Sequence, residues 1–294
     1  MDSVNDYTRA YISLIERARQ VQLLPWALKC RIGAWLGRKG SFLLQRQEQI
    51  VTTMQDCLGI DRTEAEHHFR LLCESSGVAM QMTWQLANIS RNWLERSILV
   101  QDRAELREIA GTGAVILSHH SYHHNLLISF FKICGLPAFP VGNPPTAFSE
   151  DDYLYRFTLR LNQATATNLS GGEWLFNNQG RDFLLGLRHA LEPGKILLVF
   201  CDFNEARKSN PVLPFLGRTL QIPNGVLRLL EKTPVPVYFA GFRREPPGSY
   251  VVSLTRLRPQ EAGLSSTSLG EDYLAALERH IRQTPSAWQY WEAF

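Results

Sequence analysis

The residues best suited to chemistry crowd into Ser118-His119-His120-Ser121-Tyr122-His123-His124-Asn125, where four of the eight histidines of the chain fall within six positions. Histidine takes and returns a proton near neutral pH more readily than any other side chain. His120 is the candidate general base. Its second ring nitrogen needs an acceptor that fixes the tautomer, and Asn125, five positions on, lies about one and a half turns away if a helix begins at this corner. An amide orients an imidazole but adds no charge to stabilise the imidazolium, so this pair is weaker than histidine with a carboxylate. His119 with His124 is a competing pair at the same spacing. The i, i+4 pairs His119 with His123 and His120 with His124 have the spacing of helical metal ligands, but no Asp, Glu or Cys lies among them as a third ligand, and no metal is expected.

A second constellation, Cys201-Asp202-Phe203-Asn204-Glu205-Ala206-Arg207-Lys208, directly follows the most apolar run of the chain. Residues just past the end of a parallel strand sit at the mouth of the sheet, where open α/β folds bind ligands. Asp202 could hold a histidine or a loop there, and Arg207 and Lys208 could meet a phosphate. A solvated charged loop is the plainer alternative. There is no Gly-x-Ser-x-Gly elbow, no P-loop and no Gly-x-Gly-x-x-Gly, which argues against the usual hydrolase, nucleotide and dinucleotide sites.

The groups are positioned by two textures. Residues 3 to 110 have a helical period, with breaks expected at Leu24-Pro25, Lys39-Gly40, Leu58-Gly59 and Ser75-Ser76-Gly77, and with Thr63 as a helix N-cap. After Gly111-Thr112-Gly113 come short β-rich runs, Ala114 to Leu117, Lys195 to Cys201, Val235 to Ala240 and Tyr250 to Leu254, separated by helical stretches such as Asn125 to Cys134 and Arg181 to Leu191. Near-continuous apolar strands alternating with helices predict an α/β fold, a mainly parallel central sheet covered by helices on both faces. The expected division is 1–110, a helical N-terminal region, packed on 111–294, the α/β core, as one structural domain. A last helix, Gly270 to Gln283, and the aromatic cluster Trp288, Tyr290, Trp291 and Phe294 are expected to close the core.

Composition is that of a folded globular protein: 294 residues, 45% apolar and 20% charged. A net charge of +3 is too small a bias to imply nucleic acid. Lys29, Arg31, Arg38, Lys39 and Arg46, set among Trp26, Trp35, Phe42, Leu43 and Leu44, fit either a partly exposed helix pair or a surface for an anionic membrane or an acidic protein. The five cysteines are widely spaced in apolar patterns, as buried thiols of a reducing compartment. The polar, acidic start and the lack of a membrane-length apolar run predict a cytoplasmic protein, with peripheral contact at the inner membrane left open.

The order of features resembles the late acyltransferases of lipid A biosynthesis, in the lysophospholipid acyltransferase superfamily. It runs from apolar strand, histidine and helix to Arg181-Asp182-Phe183-Leu184-Leu185-Gly186-Leu187-Arg188-His189-Ala190-Leu191-Glu192-Pro193-Gly194-Lys195. Then follow strand and Asp202, Pro214-Phe215-Leu216-Gly217, Pro223-Asn224-Gly225 and Arg282-Gln283-Thr284-Pro285-Ser286-Ala287-Trp288. The resemblance implies transfer of an acyl group from an acyl carrier protein or acyl-CoA, with an acyl-phosphopantetheine thioester as co-substrate and no bound cofactor, to a small-molecule or lipid acceptor bearing a hydroxyl or amine. The family pairs its histidine, after four intervening residues, with Asp or Glu. Here Asn125 stands in that place for His120, or His124 for His119. By position Arg181 resembles a family arginine near the site and Asp202 the aspartate after the following strand. The hydrophobic anchor usual at the family's N-terminus is replaced by polar helical sequence. A non-catalytic acyl or carrier-protein binder, and a thioesterase, are the alternative functions. The apolar residues Leu126, Leu127, Ile128, Phe130 and Phe131 serve either as core or as the wall of an acyl tunnel.

Overall fold

The computed structural model describes residues 2–145, 152–205, 210–231, 233–257 and 265–294. The N-terminal region is helical, with four long helices among the described residues: α1 (Asp2–Gln20), α2 (Trp26–Gly40), α3 (Gln47–Leu58) and α4 (Arg62–Thr83). The N-cap of α4 is Asp61, whose carboxylate accepts the Glu64 N–H at 2.8 Å, so the helix starts just before the expected cap Thr63. The break expected at Ser75-Ser76-Gly77 does not occur. These small residues are the place where α4 crosses α2: a Cβ on Gly77 would stand 2.0 Å from the Gly33 carbonyl oxygen and 2.7 Å from the Gly37 nitrogen. Close backbone contact, rather than a turn, requires glycine here.

A short helix, α5 (Arg91–Ser97), leads into β1 (Ile98–Val100), an edge strand inside the stretch expected to be wholly helical. It joins a seven-stranded sheet of order β1-β9-β8-β2-β5-β3-β4. The other strands are β2 (Ala114–Ser118), β3 (Ala138–Gly142), β4 (Leu175–Phe176), β5 (Ile196–Phe200), β8 (Val237–Glu245) and β9 (Ser249–Arg256), and every neighbouring pair is parallel except β8 with β9. A separate hairpin is formed by β6 (Val212–Phe215) and β7 (Arg218–Gln221). The sheet is thus mixed but mostly parallel, an α/β fold.

β2 and β5 are buried at every position, and their side chains alternate between two cores. Val115, Leu117, Leu197 and Val199 pack with α9 (Arg181–Ala190), α10 (Gly225–Leu230) and α11 (Ser266–Gln283), with the N-terminal helices and with Trp288 and Trp291. Ile116, Ile196, Leu198 and Phe200 face the other way, onto α6 (Arg103–Thr112), α7 (His124–Phe130) and the end of α8 (Asp152–Ala166). No helix among the described residues is long and apolar enough to cross a membrane.

Candidate active site

β2 and β5 run parallel with Ser118 opposite Phe200, and two residues beyond that pair each chain leaves the sheet, at His120 and at Asp202. His120 Nδ1 lies 2.6 Å from Asp202 Oδ1. The other carboxylate oxygen accepts the His120 backbone N–H at 2.7 Å and the Trp288 indole N–H at 2.9 Å. Asp202 is fully buried, which alone would raise its pKa. The His120 imidazole, with its ring and backbone hydrogen bonds, wins and holds the carboxyl below its ordinary value. An ionised carboxylate only accepts, so Nδ1 carries the proton and Nε2 is left as the basic nitrogen.

The corner is held from several sides. The Tyr273 hydroxyl donates to the Ser118 carbonyl at 2.8 Å, Ser118 Oγ to the Ala240 carbonyl at 2.7 Å, and the Gln289 N–H to the His120 carbonyl at 3.1 Å. Rings of Phe200, Phe203 and Tyr290 lie 5.1, 5.9 and 5.0 Å from the His120 imidazole. Burial keeps the Tyr290 hydroxyl protonated by raising its pKa.

Asn125 does not hold His120. Residues 119–123 are not helical, with a turn at 122–123, and α7 begins only at His124, so the helical spacing on which that pairing rests does not exist. Asn125 Nδ2 instead lies 3.1 Å from His124 Nε2, and its Oδ1 accepts from Thr165 Oγ1 at 3.3 Å. His124 Nδ1 donates to the Ser121 carbonyl at 2.7 Å. Desolvation, with His120 nearby, pushes the His124 pKa down to about 4, so its ring is neutral. His119 points away from His124 into the core, its ring 4.8 Å from that of His280 and stacked on Phe239, and burial lowers its pKa to about 4. His123 Nε2 lies 3.1 Å from Ser75 Oγ on α4, against Tyr250. The four histidines thus face four different environments, and only His120 meets a carboxylate. Cys201, beside Asp202, has its thiol pKa raised by burial and is no nucleophile.

His120, His124 and Asn125 line a cleft of about 1500 Å³. Leu154, Leu161, Phe183, Leu184 and Leu187 form an apolar wall from α8 and α9, and the polar lining is rich in amides, among them Asn143, Asn177, Asn204 and Asn224. A side cavity of about 540 Å³ shares Tyr11, His124, Asn125 and Tyr290 with it and extends to Met80, Met82, Leu126 and Phe157. Of the apolar residues of the 126–131 stretch, Ile128 reaches the main cleft and Leu126 the side cavity; all five are buried core. Arg181 is exposed at the first position of α9 and is not among the lining residues, whereas Arg188, two turns on and on the same helix face, is. Arg207 and Lys208 lie outside the described residues.

Among the contributors not singled out as site residues from the sequence are Trp288, Gln289 and Tyr290. Gln289 acts through its backbone N–H, for which the sequence carries no signal. Trp288 and Tyr290 belong to the aromatic cluster, which reads as core, and Trp288 is indeed fully buried. Its indole N–H is what turns a packing residue into a partner of Asp202. In comparison with known proteins, no family model matches the chain and no curated protein matches it.

Proposed function

We propose that the protein is an acyltransferase that moves an acyl group from a phosphopantetheine thioester, on a carrier protein or coenzyme A, to an amine or hydroxyl, in the manner of the lipid A late acyltransferases it resembles. The observation that carries this reading is the His120–Asp202 pair at the wall of a large, partly apolar cleft. His120 Nε2 removes the proton of the acceptor as its oxygen or nitrogen attacks the thioester carbonyl. Asp202 keeps the proton of Nδ1 in place and stabilises the imidazolium as it forms. When the tetrahedral intermediate collapses, the C–S bond breaks and the imidazolium returns its proton to the departing sulfur. The oxyanion needs a donor, and Tyr290, whose ring lies 5.0 Å from that of His120 and whose hydroxyl burial keeps protonated, is the candidate. The apolar wall and the side cavity suit an acyl chain, and the amides suit a polar acceptor.

The case for a binder that has lost catalysis rests on Asn125 standing where the resembled family carries a carboxylate. The Asp202 carboxylate on His120 supports the catalytic reading instead. The test is intact-mass turnover of a panel of acyl carrier protein and coenzyme A thioesters, with and without amine and hydroxyl acceptors, beside His120→Ala. Acyl loss that requires an acceptor and vanishes in the variant supports transfer. Acyl loss without acceptor points to a thioesterase, and no turnover by the folded protein points to a binder.

A further inference from the structure

The outward face of α2 combines two properties that folding alone does not call for. Between Glu16 and Glu48 the chain holds seven Lys and Arg and no Asp or Glu. Four of the eight exposed large apolar side chains among the described residues, Leu23, Leu28, Trp35 and Leu44, fall in the same stretch. Leu28, Arg31, Trp35 and Lys39 recur along α2 at intervals of three or four, which places them on one side of the helix. The opposite side carries Cys30, Gly33 and Gly37, buried against α4 and the turn between β8 and β9. Leu23, in the turn before α2, is fully exposed, and Trp35 is 52% exposed. Arg38 pairs with Glu74 at 2.6 Å, but Arg31 and Lys39 make no ion pair among the described residues.

We propose that this face of α2 docks on an anionic phospholipid bilayer, with Leu23, Leu28 and Trp35 entering the headgroup boundary and Arg31 and Lys39 meeting lipid phosphates. The helix lies along its own axis in the protein surface, so its exposed side can lie flat in the plane of a membrane. An indole at headgroup depth has its apolar body and polar N–H both satisfied, and cations flanking short apolar side chains are the arrangement that binds such interfaces. An acidic protein would answer the cations, but it leaves the bare Leu23 beside them unexplained. The proposal concerns attachment and stands whether or not the cleft transfers acyl groups.

The test is co-sedimentation of the full chain with vesicles of phosphatidylcholine alone and of phosphatidylcholine with phosphatidylglycerol. Binding is expected to the anionic vesicles, to fall as salt is raised, and to drop about tenfold or more in Arg31→Glu/Lys39→Glu, since each cation near an anionic surface contributes about fivefold to partitioning. Leu28→Ser/Trp35→Ser is expected to weaken binding without changing its salt dependence. Arg103→Glu/Arg107→Glu, exposed on α6, controls for net charge and is expected to bind much more like the native chain. Circular dichroism establishes that each variant is folded. Equal binding to both vesicle types, no binding, or equal losses in the α2 and α6 charge variants overturns the proposal. So does a charge variant that still binds vesicles but no longer binds an acidic carrier protein.

Discussion

His120 and Asp202 are joined by strand register: the 82 residues that separate them also separate Ser118 from Phe200, the last paired residues of β2 and β5. Two parallel strands of the same sheet therefore deliver the imidazole and its carboxylate to the same row above the sheet edge. The pair depends on the sheet as a whole rather than on a local motif.

Asp202→Asn replaces the carboxylate by an amide of the same shape. Acceptor-dependent acyl transfer is expected to fall by roughly 10²–10⁴-fold, the range for loss of effective base catalysis, and His120→Ala is expected to fall as far. Steady-state turnover of both variants, with folding followed by circular dichroism, checks this. Activity in Asp202→Asn close to the native value would take the carboxylate out of the mechanism.

Asn125→Asp restores the carboxylate at the position where the resembled family carries one. Because Asn125 touches His124 and Thr165 rather than His120, no gain in turnover is expected. The new charge should instead raise the His124 pKa, which NMR titration of the imidazole reads directly. A rise in kcat would mean that the 119–123 stretch rearranges to bring residue 125 onto His120.

Trp288 is linked to the His120 imidazole through Asp202. Trp288→Phe keeps most of the ring volume and removes the N–H, a hydrogen bond to a charged group worth about 1.5–3 kcal/mol of stability. Turnover is expected to drop about tenfold in kcat with KM little changed, because the carboxylate loses one of the donors that fix its plane. The acidic limb of the pH–rate profile should move with it. A purely structural Trp288 would lower the melting temperature and leave that limb where it was.

The buried neutral histidines make stability depend on pH. His119 and His124 are held at about 4 against an ordinary value of 6.5, and burial lowers His123 and His280 as well. In this window the unfolded chain binds more protons than the native one, so stability is full above about pH 6.5 and falls as pH drops toward 4. Urea unfolding midpoints between pH 8 and pH 4.5 are expected to be flat at the upper end and to decline below, with uptake of more than one proton on unfolding near pH 5. A flat profile throughout would mean that these rings are already charged in the native protein.

Gly77→Ala tests the crossing of α2 and α4. The added methyl would sit inside van der Waals contact with the α2 backbone, and overpacking of this kind costs about 1–3 kcal/mol or more. A melting temperature lowered by several degrees is expected. An unchanged one would show that the two helices are not held at this separation.

The continuous apolar runs at Ala114 to Leu117 and Lys195 to Cys201 were legible as buried strands because both faces of a central parallel strand are covered, and they became β2 and β5. β1 was not, since three residues ahead of a helix carry no period. β3 contains Pro140, which argues against a strand when the neighbours are unknown. Ser75-Ser76-Gly77 reads as a turn locally, and only the approach of α2 explains it. The histidine corner and Asp202 could each be located at a strand end, but their pairing is a matter of which strands are neighbours. That relation lies in strand order, 82 residues apart, and no spacing within the histidine cluster encodes it.

The order of synthesis gives the Trp288–Asp202 hydrogen bond a further meaning. His120 and Asp202 emerge from the ribosome well before Trp288, Gln289 and Tyr290, which cap the carboxylate and fasten the His120 backbone. Until residue 290 has been made and released, the nascent chain holds a carboxylate and an imidazole with no lid over either. The pair is thus fastened last, after both strands that carry it have been made.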